Sequence, residues 1–337
     1  MEISDQSISV VIQGPVVGSE GRAAGVCTSA MVLESVRWFL PKAEIILSTW
    51  EGTDYGHLSA DIVVTSKDPG AFPFNDSSSR VQYNNLNRML VSTQAGLARC
   101  TRPFAIKLRT DTPLVRQPDF AAITPVRAGG SSTLFERRVL VPNIYTRHPL
   151  KRPVLFHLSD LVHFGTTTDL RTLWCVPLVN DPEFTRWNRD RFPLPCNAYP
   201  ELEYHCRCAP EQYLVESLAR RIEPGVFLTH PGDGRVSWLF LWLRLLATHF
   251  VIQPYERFFA ALPDRMAEHA HAFDLFAGDD LPWLELWGRT RTPLGLRVKA
   301  MVAYSQAQSR YMPPRRYRLI GRAIRRILRR FAYQSTS

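Results

Sequence analysis

The stretch 103-PFAIKLRTDTPL-114 decides how the rest of the chain is read. Phe104, Ala105, Ile106 and Leu108 form an apolar run of strand length, yet the run contains Lys107 and ends on Arg109, Thr110 and Asp111. A strand that only crosses a core stops at a turn residue such as Gly or Asn. This one stops on a cation and a carboxylate, groups suited to a ligand.

The same pattern repeats upstream. Ile8–Ile12 ends in Gln13-Gly14-Pro15, 44-EIILSTW-50 closes on Glu51-Gly52, and 61-DIVVTS-66 runs to Asp68-Pro69-Gly70. Between them, Val26–Phe39 can form a helix, and 82-QYNNLNRMLVSTQAGLARC-100 places Leu86, Met89, Leu90, Ala95, Leu97 and Ala98 at roughly helical spacing. This alternation predicts an α/β layer, a mostly parallel sheet flanked by helices. Such sheets bind ligands outside the carboxyl ends of their strands. Right-handed connections would therefore gather Gln13-Gly14-Pro15, Trp50-Glu51, Ser66-Asp68 and Lys107-Arg109-Asp111 on one edge. Polar turns occur in every protein, but four in a row carrying Asp, Glu, Trp or Arg exceed what turn chemistry requires.

The second half is less regular. Strand-like Thr133–Phe135 and Val139–Val141 precede 156-FHLSDLVHFG-165, and 169-DLRTLW-174 reads as a helix with Asp169 as its N-cap. A Pro-rich stretch from Asp181 to Pro200 reads as a long loop. At 210-PEQYLVESLARRI-222, Pro in the first turn followed by Glu marks a helix start. The run 237-SWLFLWLRLLATHFVI-252 contains Arg244 and His249 and falls short of the roughly 20 apolar residues of a membrane span, so it reads as a buried or interfacial helix. Three regions result: an α/β domain over 1–235, a helical region over 236–312, and a basic tail over 313–337.

Charge divides along the same line. The 337 residues are 45% hydrophobic, enough for a substantial core, with a net charge of +10. Residues 286–337 hold 13 basic side chains and no acidic one, whereas residues 1–285 hold 28 basic and 31 acidic. The positive charge thus describes the tail and says nothing of the body's ligand. In 315-RRYRLIGRAIRRILRRF-331, Leu319, Ile320, Ala323, Ile324, Ile327, Leu328 and Phe331 make one apolar stripe, and arginines fill the other side. That separation suits an anionic membrane surface better than a nucleic acid, whose binders interleave aromatic and basic residues. The six cysteines are scattered, and 205-HCRC-208 with Cys196 lacks the paired spacing of a zinc site, so free, mostly buried thiols are expected. The start, MEISDQSISV, has neither a basic n-region nor an apolar segment, which points to the cytoplasm.

If the edge takes a nucleotide diphosphate carrying a sugar, Asp111 can hold a divalent metal, Mn²⁺ or Mg²⁺, completed by phosphate oxygens. Lys107 and Arg109 would balance phosphate charge. Asp68 or Glu51 could accept from ribose hydroxyls or base N–H groups, and Trp50 could stack on a base.

As an ordered set, 9-SVVIQGPV-16, 44-EIILSTWEG-52, 61-DIVVTSKDPG-70, 85-NLNRMLVSTQAGL-97, 104-FAIKLRTD-111, 156-FHLSDLVHFG-165 and 210-PEQYL-214 resemble the WavE-type lipopolysaccharide-synthesis family over about residues 8–230. The resemblance implies a GT-A-like, Rossmann-like glycosyltransferase with a nucleotide-sugar donor. It implies a donor site that includes Gln13, Gly14, Pro15 and Arg88, and a metal carboxylate at Asp111. Here Arg109-Thr110-Asp111 replaces the two-carboxylate motif common in that fold. The resemblance further implies Glu211 as general base of an inverting transfer, with Gln212 orienting it and Asp160 as rival base or sugar ligand. His230 would be a C-terminal metal ligand. The acceptor would be lipopolysaccharide core or another surface glycan on a lipid, met at the inner face of the membrane by the basic tail. A nucleotidyltransferase is the second reading, although 13-QGPVVGSEGRAAG-25 has glycines but only Arg22 and no Lys. A non-catalytic binder of membrane or nucleic acid through the tail is the third.

Overall fold

The structure, a computed structural model, describes residues 3–18, 27–75, 81–126, 133–180, 184, 206–263, 266, 272, 274–289 and 292–311. The tail over 315–331 and nearly all of the Pro-rich stretch lie outside them. The core is a seven-stranded sheet in the order β3-β2-β1-β6-β8-β7-β9. Its first half consists of β1 (Ile8–Gln13), β2 (Glu44–Trp50), β3 (Ile62–Ser66) and β6 (Phe104–Arg109), all parallel. All six residues of β1 are buried, as a central strand covered on both faces requires. A separate antiparallel ribbon, β4 (Phe72–Asn75) with β5 (Val81–Asn84), was not anticipated.

Two helices sandwich this half. On one face α1 (Ser29–Phe39), capped by the Thr28 hydroxyl accepting from the Met31 N–H at 3.3 Å, sets Val32, Leu33 and Val36 against Val10, Ile12, Ile45 and Leu47. On the other, α2 (Leu86–Arg99) lies so close to β1 that a Cβ at Gly96 would stand 2.3 Å from Val11 Cγ1. Only glycine permits that approach.

The other half is mixed. Strand β8 (His163–Thr166) runs antiparallel to β6, with Lys107 opposite His163, so the residues just before β8 lie beside the carboxyl end of β6. Outside it, β7 (Val139–Pro142) pairs antiparallel with β8 and parallel with β9 (Phe250–Gln253). Helices α3 (Thr167–Trp174), α4 (Pro210–Ala219), α5 (Val236–His249), α6 (Leu281–Glu285) and α7 (Leu294–Tyr311) complete the described chain.

Three local readings change. The apolar run 237–252 is not one helix: α5 buries Trp238, Leu239, Trp242 and Leu243, and Phe250–Gln253 then become a sheet edge. The segment 236–312 therefore contributes a strand to the same sheet as the first 235 residues. Thr133–Phe135 forms no strand. The cap of α3 is Thr166, whose hydroxyl accepts from the Asp169 N–H at 3.0 Å, while the Asp169 carboxylate accepts from the Glu136 and Arg137 N–H groups at 2.8 and 3.0 Å. No helix among the described residues is long and apolar enough to cross a membrane.

Candidate active site at the carboxyl edge of the sheet

Strand register puts the polar ends on one level: Gln13 is paired with Ser48 and Arg109, and Trp50 with Ser66. A cleft of about 1120 Å³ opens there, and its lining includes Gln13, Gly14, Pro15, Trp50, Asp68, Arg88, Arg109, Asp111 and Asp160. Gly14 makes the sharp exit from β1 at φ +124°, where an added Cβ would come 3.1 Å from Thr110 Oγ1. Its N–H donates to the Ser48 carbonyl at 3.0 Å, and the Thr110 N–H donates to the Gln13 carbonyl at 3.1 Å, tying the turn to both neighbouring strands.

Two arginine–aspartate forks line the cleft. Arg109 donates from Nε to Asp111 Oδ1 at 2.9 Å and from Nη2 to Oδ2 at 3.0 Å. Burial alone would lower the Arg109 pKa, but the bonds to Asp111 outweigh it and the net shift is upward. Arg88 donates to the two Asp68 oxygens at 2.8 and 2.6 Å and to Asn85 Oδ1 at 3.1 Å. Those bonds are the main reason the Asp68 carboxyl is held below its ordinary value. Bidentate guanidinium groups of this kind also match phosphate oxygens.

Lys107 is not on the cleft. It is fully buried two residues deeper in β6, where Nζ donates to the carbonyls of Asp160 and, at 3.3 Å, Leu161, and lies 4.8 Å from the Trp174 ring centre. Burial pushes its pKa down to about 7. Glu51 is exposed on the turn after β2 and is not among the lining residues.

Glu211 occupies the first turn of α4, where the helix N-terminus favours negative charge; it is not itself among the lining residues, but its neighbour Pro210 is. His157 Nε2 stands 3.9 Å from Glu211 Oε2. Burial, followed by the charge of Arg147, lowers the His157 pKa to about 3, so the ring is neutral and the contact is not an ion pair. A neutral ring bonded to the Tyr145 carbonyl at 2.7 Å must donate from Nδ1, which leaves Nε2 toward Glu211 as an acceptor. Gln212 does not orient Glu211. Its amide is buried and donates to the Leu155 and Pro231 carbonyls at 2.9 and 2.8 Å, fastening α4 to its surroundings. His230 sits in the turn after α4, its carbonyl accepting from the Asp233 N–H at 2.9 Å, and is not among the lining residues. Among the described residues no group of three His, Cys, Asp or Glu stands together as a metal site.

Tyr145 was missed. It has φ +58°, a strained conformation for a bulky residue. Its phenol pKa is raised to about 12, first by burial and then by Glu211, with Asp160 adding to the effect. Both carboxylates singled out from the sequence are thus close enough to act on one phenol. No local signal announces such a tyrosine, because left-handed backbone is ordinarily reserved for Gly and Asn. Tyr145 is not itself among the lining residues; Asn84 and Asn85 are, and they had a signal in their Asn-Asn pair just before α2.

An α/β chain with a polar, arginine-bearing cleft at the carboxyl edge of its parallel strands is an α/β protein of the Rossmann-like class, in which that edge is the usual place for a ligand. The profile of the WavE lipopolysaccharide synthesis family matches residues 8–318, and the chain belongs to that family. The match runs through α5, β9 and α7, well past the part whose resemblance the sequence motifs carried. Compared with curated proteins, the chain has no match. Its role lies in lipopolysaccharide synthesis.

Proposed function

We propose that the protein is a glycosyltransferase that binds a nucleotide-sugar donor in the cleft and passes the sugar, with inversion, to a lipopolysaccharide core or other surface-glycan acceptor. The observation that carries this reading is the pair of arginine–aspartate forks beside the Gly14 turn, at the edge where parallel sheets bind nucleotides. Family membership supports it.

The donor diphosphate takes the forks of Arg109 and Arg88, and Trp50 offers a face for the base. Asp111 fits a divalent cation as the single protein carboxylate, because Mn²⁺ or Mg²⁺ is commonly held by one or two carboxylates together with phosphate oxygens. When bound, the ion would supply countercharge to the leaving diphosphate. Asp160, on the cleft lining, accepts from sugar hydroxyls. Glu211 takes the proton from the attacking acceptor hydroxyl as the new glycosidic bond forms and the bond to the diphosphate breaks. His157, neutral and anchored to Tyr145, keeps an uncharged neighbour beside that carboxylate.

The test is to incubate the folded protein with UDP-, GDP- and CMP-sugars and Mn²⁺ and to follow slow donor hydrolysis. Silence across the set, together with no nucleotide binding, would overturn the reading. Glu211→Gln should bind UDP normally and lose about 10² to 10⁴ in turnover. A near-normal rate in that variant, with Asp160→Asn inactive, would move the base to Asp160.

A further inference from the structure

Asp160 stands on a connection just ahead of β8, a place where a carboxylate would ordinarily be as mobile as its loop. Its backbone is nevertheless held from inside the sheet. Lys107 is fully buried, and its Nζ reaches two successive carbonyls, those of Asp160 and Leu161. The ammonium also packs over Trp174, whose Nε1–H donates to His163 Nδ1 at 3.0 Å, and His163 Nε2 in turn donates to the Ser159 carbonyl at 2.7 Å. Residues 159, 160 and 161 are thus all fastened by groups rooted in β6, β8 and α3.

We propose that Lys107 is a positioning residue that fixes the Asp160 carboxylate on the cleft lining by clamping the backbone that bears it. A lysine stem is long and costly to bury, and an apolar residue would fill the same space without the desolvation penalty. The two carbonyls explain why an amine stands there. The arrangement also ties two of the three carboxylates on the cleft lining to one strand, since β6 leads directly to Asp111 and reaches Asp160 through Lys107. The charged or titratable groups acting on the amine are Asp160, Arg109, Asp111 and His163, and burial outweighs them in setting its pKa at about 7. Charged or neutral, the amine still has two N–H groups for the two carbonyls.

The proposal rests on the functional reading above only for its activity arm. Lys107→Met keeps the length of the side chain and removes the donors. Expected are a single cooperative thermal transition, amide exchange in 159–163 faster by about tenfold or more, and unchanged protection in β1 and α2. UDP affinity should stay within about twofold while turnover falls by about tenfold or more, the split a misplaced sugar-contacting group produces. Lys107→Arg, whose fork can reach both carbonyls, should restore exchange protection and part of the turnover. Unchanged exchange in the methionine variant would overturn the clamp, as would arginine failing to restore protection in a folded protein. Should methionine prevent folding, Lys107→Leu, which also lacks donors, takes its place with the same two readouts deciding. If the wild type turns over no donor, the glycosyltransferase reading falls and the exchange arm still decides the clamp.

Discussion

Two arginine–aspartate pairs in this protein look alike in chemistry and differ in everything else. Arg109 and Asp111 are two positions apart, their side chains are 27% and 12% exposed, and they face the cleft. Arg147 and Asp274 are 127 positions apart, and Asp274 is fully buried and also receives Arg152 Nη1 at 3.2 Å. The first pair borders the cleft, where the charge of a ligand would reach it. The second closes the segment around residue 274 onto the loop after β7 and has no access to a ligand's charge. Location therefore separates function from architecture where residue type does not.

The largest expected effect of that contrast concerns acid. His148, His157, His163 and His249 are all buried, and burial is the first cause that lowers their pKa values to about 4, 3, 3 and 4. In the unfolded chain each takes a proton near 6.5 and in the folded chain only near 3 to 4, so the unfolded state binds more protons in between. Stability from this source is fully present above about pH 6.5 and is lost as pH falls through 4 and 3. Urea midpoints measured from pH 7 to 4 should fall steeply. Replacing His163 by Gln should flatten the slope, and an unchanged slope would mean that the buried rings carry little of it.

Next in size is the buried pair. Asp274→Ala leaves two arginines in the interior without their shared carboxylate, and removing one partner of a buried ion pair costs about 3 to 5 kcal/mol. Denaturant unfolding should show the loss, while UDP affinity of the remaining folded protein stays the same. A cost under about 1 kcal/mol would mean that the interior there is wetter than its geometry implies.

The same contrast explains what could be read in the sequence. Strands β1, β2 and β6 were legible almost to the residue because parallel strands covered on both faces are continuous apolar runs with their turns beside them, and the half-exposed edge strand β3 was legible from its β-branched run before Asp68-Pro69-Gly70. Strand β9 was not, since Phe250–Gln253 continue the apolar run of α5 and their partner, β7, lies more than a hundred positions earlier. The forks were half legible: Arg109 and Asp111 stand in one motif, and Arg88 and Asp68 needed the fold to meet. Lys107 looked like a phosphate ligand because the sequence shows which face of β6 it shares with Arg109 but not that β8 would pair alongside and bury it.

The smallest effect on stability, and the sharpest on binding, belongs to Asp111→Asn. Asparagine keeps the shape and still accepts one of the two bonds from Arg109 but loses the charge, so the cost to folding is that of one hydrogen bond, about 1 kcal/mol. Thermal melts of variant and wild type should therefore nearly coincide. Calorimetry should separate them: UDP in the presence of Mn²⁺ should bind the wild type more tightly by at least about tenfold, since a neutral amide is a poor substitute for a carboxylate on a hard cation. Without Mn²⁺ the order should narrow or reverse, because Arg109 is then freer to meet the diphosphate. If the two proteins bind UDP alike with and without Mn²⁺, Asp111 serves only to orient Arg109, and the cleft pair is as architectural as the buried one.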